Sequence, residues 1–169
     1  IFILFFTIIS FTTAAQEDAD VERIDDFGSN PGNLKMFLYD PGNKKDTAKM
    51  PLVVVLHGCG QTAKEVARLT GWNKLARQYH FLVVYPQQKI SNNMSGCFNW
   101  FRSADTDKGR GEGESIYEQV KYVEQHYRID TNRIFVTGVS AGAAMAVVML
   151  ATHPETRTRH PSHNRKCYQ

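Results

Sequence analysis

A chain of 169 residues with 42% hydrophobic and 22% charged side chains can bury one sizeable core and is not a disordered polyelectrolyte. Its formal net charge is +3, and Arg157, Arg159, Arg165 and Lys166 crowd into the last fifteen residues. The body is therefore near neutral, which excludes a basic nucleic-acid-binding stripe.

Ile1 to Phe11 is apolar apart from Thr7 and Ser10, and the small residues Thr12-Thr13-Ala14-Ala15 precede the acidic Glu17-Asp18. So short a run falls below the about 20 residues of a bilayer span, and Thr13-x-Ala15 suits a small-x-small cleavage site. Residues 1–15 therefore read as a signal peptide that lacks its initiator Met and basic start. The protein is expected to be secreted or periplasmic, without stable membrane anchoring. Export would place Cys59, Cys97 and Cys167 in an oxidising compartment where thiols pair.

From Val21 to Tyr39, Gly28 and the Asn30-Pro31-Gly32 turn separate short strands, and Pro41-Gly42-Asn43 follows; this predicts an antiparallel ribbon. Leu52–Leu56 is then an unbroken apolar, Val-rich run, typical of a strand buried on both faces of a parallel sheet. Phe81–Tyr85, stopped by Pro86, is a second such run, and Arg133–Thr137 a third. Between the first two, Thr62 and Glu65 form a capping box, and Val66, Leu69, Trp72, Leu75, Ala76 and Tyr79 follow at helical spacing. That stripe is expected to face the sheet, with Gly71 bending or splitting the helix. Ile116, Val120, Val123 and Tyr127 predict a second amphipathic helix. Alternation of strand and helix implies an α/β fold with helices on both faces of a parallel sheet. Cys59 and Cys97 each follow a parallel strand, so they are expected to meet at one sheet edge and pair.

Gly138-Val139-Ser140-Ala141-Gly142 follows the third run and opens an apolar helix over Ala141–Thr152. In that context G-x-S-x-G is a nucleophile elbow: a sharp turn lifts the Ser140 hydroxyl clear of the sheet, and the glycines remove Cβ atoms that would clash. The competing reading is a Gly/Ser/Ala-rich turn that merely lets a helix pack closely. His57-Gly58-Cys59-Gly60 follows the first buried run, where α/β-hydrolases place the oxyanion loop, so backbone N–H groups of Cys59 and Ala141 are the expected oxyanion donors. His57 is read as a brace for this loop rather than a general base. In this fold an acid and then a histidine follow the serine. After Ser140 there is no Asp, and the only acid is Glu155. His153 lies about 20 Å along the helix, and His160 and His163 have no apolar segment to hold them.

At these residues the chain resembles the extracellular polyhydroxybutyrate depolymerase family, with its feruloyl and acetylxylan esterase relatives. The likeness runs from about Asn33 to Glu155. It rests on Leu56–Gln61, Gly71-Trp72, Phe81–Pro86, Cys97-Phe98-Asn99-Trp100-Phe101, Tyr127-Arg128-Ile129-Asp130 with Arg133, and Gly138–Ala146. The resemblance implies the first part of an α/β-hydrolase domain over residues 21–154, Ser140 as acyl-forming nucleophile, and no metal or organic cofactor. It further implies a cleft bordered by Trp100, for which core packing is the alternative role, and an ester polymer or esterified polysaccharide as substrate. Residues 155–169 depart from the pattern and read as an irregular basic tail, out of frame or prematurely ended. The expected activity is secreted carboxylic-ester hydrolysis, feeble in this chain itself. A non-catalytic polymer- or carbohydrate-binding protein, or a gene fragment without function, remains the alternative.

Overall fold

The computed structural model describes residues 20–42 and 48–154. The leader, the basic tail, Cys167, His160 and His163 lie outside the described residues. Five strands form one sheet: β1 (Glu22–Ile24), β2 (Lys35–Tyr39), β3 (Met50–Leu56), β4 (Leu82–Gln87) and β5 (Ile129–Gly138), in the order β1-β2-β4-β3-β5. β1 and β2 are the antiparallel ribbon, and β2 joins β4 antiparallel with Lys35 opposite Gln87. β4, β3 and β5 run parallel. The helices are α1 (Ala63–Thr70), α2 (Trp72–Tyr79), the short α3 (Ser103–Thr106), α4 (Gly111–His126) and α5 (Ala141–Thr152).

The alternation of side chains along β3 and β4 divides the interior into two layers. Leu52, Val54, Leu56, Leu82 and Val84 pack with Ile116, Val120, Val123, Met145 and Met149 of α4 and α5. Val53, Val55, Val83 and Tyr85 pack with Ala63, Val66, Ala67 and Ala76 of α1 and α2. Helices thus cover both faces, as the β-branched runs require.

Three details differ from the sequence expectation. The stripe Val66, Leu69, Trp72, Leu75, Ala76, Tyr79 does not face the sheet as a unit: Leu69 and Tyr79 are each 63% exposed. Gly71, at φ 71°, ends α1 and starts α2, so the helical phase resets there and the buried residues become Ala63, Val66, Ala67, Asn73 and Ala76. Pro86 does not stop β4; it lies opposite Met36 on the β2 side, beyond the last β3–β4 pair at Val54 and Val84, where no ladder N–H is needed from it. β5 starts four residues before Arg133 and shifts register between Met50 and Leu52. The Asp130 carboxylate organises that irregularity, accepting from Asn132 N (3.1 Å) and Arg133 Nε (2.7 Å), while Arg133 also donates to Lys49 O (3.1 Å).

Among the described residues β5 has a neighbour on one side only. Beside it Val53, Trp72, Phe81 and Phe135 line an open trough of about 500 Å³, and Phe135 is 40% exposed. An apolar edge of this kind recruits other strands. The chain on its own is expected to self-associate reversibly, and Phe135→Lys should shift its sedimentation profile towards monomer while changing stability by less than about 1 kcal/mol.

Candidate active site

Ser140 sits between β5 and α5 with φ 53° and ψ −117°, a conformation that costs a non-glycine residue about 1–3 kcal/mol. Backbone hydrogen bonds hold it there: Val139 N to Leu56 O (3.0 Å), Gly142 N to Val139 O (2.9 Å) and Ala144 N to Ser140 O (3.1 Å). The two flanking glycines are sterically required. A Cβ on Gly138 would stand 2.4 Å from the Gly142 carbonyl carbon, and one on Gly142 would stand 2.4 Å from Leu56 O. The elbow therefore presses backbone on backbone against the end of β3. Ser140 occupies the N-cap position of α5, yet its hydroxyl makes no capping bond and the residue is exposed. The positive end of a twelve-residue helix points at this corner, where negative charge is favoured.

The loop after β3 lies alongside. A Cβ at Gly58 would be 3.6 Å from Ser140 Cβ, which brings His57-Gly58-Cys59-Gly60 next to the serine. The loop is cross-braced: Gly58 N donates to Gln61 Oε1 (2.8 Å), Gln61 N to Gly58 O (3.2 Å), and His57 Nδ1 lies 2.7 Å from Gly58 O. On the other side of the ring, Gln88 N donates to His57 Nε2 (3.0 Å). That bond fixes the neutral tautomer, with the proton on Nδ1. Burial holds the His57 pKa below its ordinary 6.5, the bond to Gly58 O opposing it in part. With both ring nitrogens engaged and the ring 1% exposed and 4.7 Å from Phe98, His57 braces the loop.

Cys59 and Cys97 form a disulfide (1.99 Å) that ties this loop to the segment after β4. Three residues beyond Cys97, Trp100 is 46% exposed, and it meets the 60% exposed Phe101 edge-on at 5.6 Å. Trp100 is thus no core residue. His153, the other histidine near α5, is fully buried at the far end of the helix, stacked on Tyr117 at 4.4 Å and 3.2 Å from Glu114 Oε2. It cannot reach Ser140. Among the described residues no group of three or more His, Cys, Asp and Glu side chains is placed to hold a metal ion.

Sequence reasoning missed the support behind this corner. Glu112, in the first turn of α4, is completely buried and accepts from Gln88 Nε2 (2.5 Å), Asn99 Nδ2 (2.6 Å) and Asn99 N (2.7 Å). Gln88 thus links Glu112 to His57, while Asn99 links it to the disulfide segment. A signal was present in Gly111-Glu112-Gly113: a Cβ on Gly111 would clash with Ala104 O at 2.3 Å, and one on Gly32 with Glu112 Cα at 2.4 Å. Burial raises the Glu112 pKa above its ordinary 4.5, against the lowering effect of the Asn99 and Gln88 bonds.

A model of the family described as esterase PHB depolymerase matches residues 34–164. The poly(3-hydroxyalkanoate) depolymerase C of Paucimonas lemoignei is 42% identical over 153 residues, which are 90% of this chain and 36% of that protein. A probable acetylxylan esterase A of Neosartorya fischeri is 38% identical over 135 residues, 80% of this chain and 36% of the relative. Among solved structures, an acetyl xylan esterase from Aspergillus awamori superposes with a TM-score of 0.74 at 34% identity, covering 81% of this chain and 48% of that one. The chain thus spans about a third to a half of the length of these relatives.

Glu112→Ala, which strands three buried donors, is expected to destabilise the fold by about 3 kcal/mol in urea unfolding. Because the folded-state pKa of Glu112 is raised, its protonation favours folding below about pH 4.5, and that contribution is lost as pH rises through the folded value; Glu112→Gln should abolish this slope. Gly142→Ala should cost about 2–4 kcal/mol, or prevent folding, because Leu56 O cannot withdraw without breaking β3.

Proposed function

The chain belongs to the esterase PHB depolymerase family of serine carboxylic ester hydrolases, with an α/β-hydrolase fold, and on that premise we propose that it contributes the nucleophile and oxyanion hole for hydrolysis of a polyester or a plant-cell-wall ester. The observation that carries this reading is the strained, exposed Ser140 beside the braced loop at Gly58. Ser140 Oγ attacks the ester carbonyl carbon and passes its proton to a base. The carbonyl oxygen, now negative, takes hydrogen bonds from Cys59 N–H and from Ala141 N–H, a first-turn group that helix geometry leaves without an intrahelical acceptor. Collapse of the tetrahedral intermediate expels the alcohol and leaves an acyl-serine for water to cleave. Among the described residues neither His57 nor His153 is placed to act as the base. Residues 20–42 and 48–154 therefore hold only part of the machinery. Trp100 and Phe101, exposed on the segment tied to the oxyanion loop, suit the apolar surface of an ester polymer.

Secretion belongs to the same reading. It is supported by the apolar leader at residues 1–15 and by the Cys59–Cys97 bond, a linkage that persists in oxidising compartments. Among the described residues no helix is long and apolar enough to cross a membrane. The exposed Trp100–Phe101 pair also favours a second reading, a polymer-binding protein without turnover.

This chain should accelerate p-nitrophenyl butyrate hydrolysis by no more than about 10³–10⁴ over water, the residue left when triad members are missing. Prolonged exposure to a fluorophosphonate should leave one adduct, mapped by peptide mass spectrometry to Ser140 and absent from Ser140→Ala. No adduct at Ser140, together with retention on polyhydroxybutyrate granules, would establish the binding protein instead.

A further inference from the structure

A second concavity opens beside the site, at the carboxyl end of β4. It is a cleft of about 590 Å³ between the start of β2, the N-terminus of α1 and the segment after β4. Three of its lining side chains are Lys35, Lys64 and Lys89, and none is a carboxylate. Its apolar wall comes from Ile90, 63% exposed, and from Phe37, which shares a face of β2 with Lys35. Gln88 lines the cleft and also holds His57 through its backbone N–H, while Thr62 follows directly on Gln61, whose side chain holds Gly58. The cleft and the oxyanion loop therefore share a wall.

We propose that this cleft binds an aliphatic carboxylate carried on the ester substrate or its acid product. The proposal rests on the hydrolase reading for the identity of the chain that bears the acid, and on the cleft alone for the binding. Three lysines in a lining without a carboxylate make a positive field, focused by the low-dielectric wall behind it. Two of the backbone donors that would favour a bare phosphate or sulfate are already engaged: Ala63 N donates to Gln87 Oε1 (2.6 Å) and Thr62 N to Glu65 Oε2 (2.7 Å). What remains is point charge on flexible stems beside a carbon-lined wall, which fits a single carboxylate on an aliphatic carbon better than a compact polyanion. Lys89 Nζ is already engaged by Asn33 Oδ1 (2.5 Å), a residue outside the lining, which leaves Lys35 and Lys64 as the cations for a ligand. Two substrates bring this chemistry: the free acid end of a hydroxyalkanoate oligomer, and a uronate carried on a polysaccharide.

Ligand-observed NMR on the whole chain reads binding to monomer and self-associated protein alike. The probes are linear 3-hydroxybutyrate trimer with a free acid, its methyl ester, methyl glucuronoside and inorganic phosphate. The trimer acid or the glucuronoside should bind at least tenfold more tightly than the neutral ester. Lys35→Ala and Lys64→Ala should each weaken it about threefold to fivefold, and raising salt from 20 to 300 mM should weaken it further. Preference between the two acids identifies the source. Equal affinity for acid and ester, indifference to both substitutions, or phosphate competing as well as the acids would overturn the site. Ser140→Ala should leave this binding intact. Carboxylate binding without fluorophosphonate labelling of Ser140 thus keeps the cleft and removes the hydrolase reading, whereas labelling without carboxylate binding does the reverse.

Discussion

The contact between Gly142 and the carbonyls of Leu56 and His57 is what the active corner depends on. It brings the first turn of α5 within backbone distance of the end of β3. That approach sets three things together: the sharp exit from β5, the left-handed backbone at Ser140, and the adjacency of Gly58. A strained residue persists only where its surroundings leave it no alternative. Here they are the Val139 N to Leu56 O bond, the mutual fit of Gly138 and Gly142, and a helix whose buried Met145 and Met149 anchor it to the core.

Much of this arrangement was legible in the sequence because it rests on local chemistry. The β-branched runs of β3 and β4 could only be strands covered on both faces, and the capping box at Thr62 and Glu65 marked the start of α1 to the residue. The elbow was readable for the same reason, since two glycines around a serine between strand and helix have few other uses. Periodicity misled where the chain changed phase. Leu69 and Tyr79 fit one continuous helical stripe on paper, but a left-handed Gly71 divides that stripe between two helices, and both side chains turn outward. Glu112 was invisible for a different reason. Its partners Gln88 and Asn99 come from the segment after β4, and no spacing rule connects a glutamate in one helix with amides thirteen and twenty-four residues away.

That hidden network explains how an irregular segment can carry a precise loop. A buried carboxylate facing three donors is costly to desolvate, which is why its pKa is pushed upward, but once satisfied it permits few rearrangements. Gln88 relays this rigidity to His57 and Asn99 relays it to the strand of chain ending at the disulfide. The loop at His57–Gly60 is consequently held by a histidine ring, by the Gln61 side chain and by a covalent bond. Preorganisation of backbone donors matters because they must already point at the oxyanion before it forms.

The same rigidity separates two kinds of residue around the corner. Those that fix geometry, His57, Gln88, Asn99 and Glu112, are at most 3% exposed and spend their polar atoms on one another and on neighbouring backbone and amide groups. Those able to meet a ligand, Ser140, Trp100, Phe101 and the lysines at the neighbouring cleft, are exposed or half-buried. Such a division lets exposed side chains meet a ligand while the backbone groups at the corner stay fixed. The β5 edge belongs to neither set: its exposed Phe135 shares a largely apolar trough with Val53, Trp72 and Phe81, a surface suited to packing.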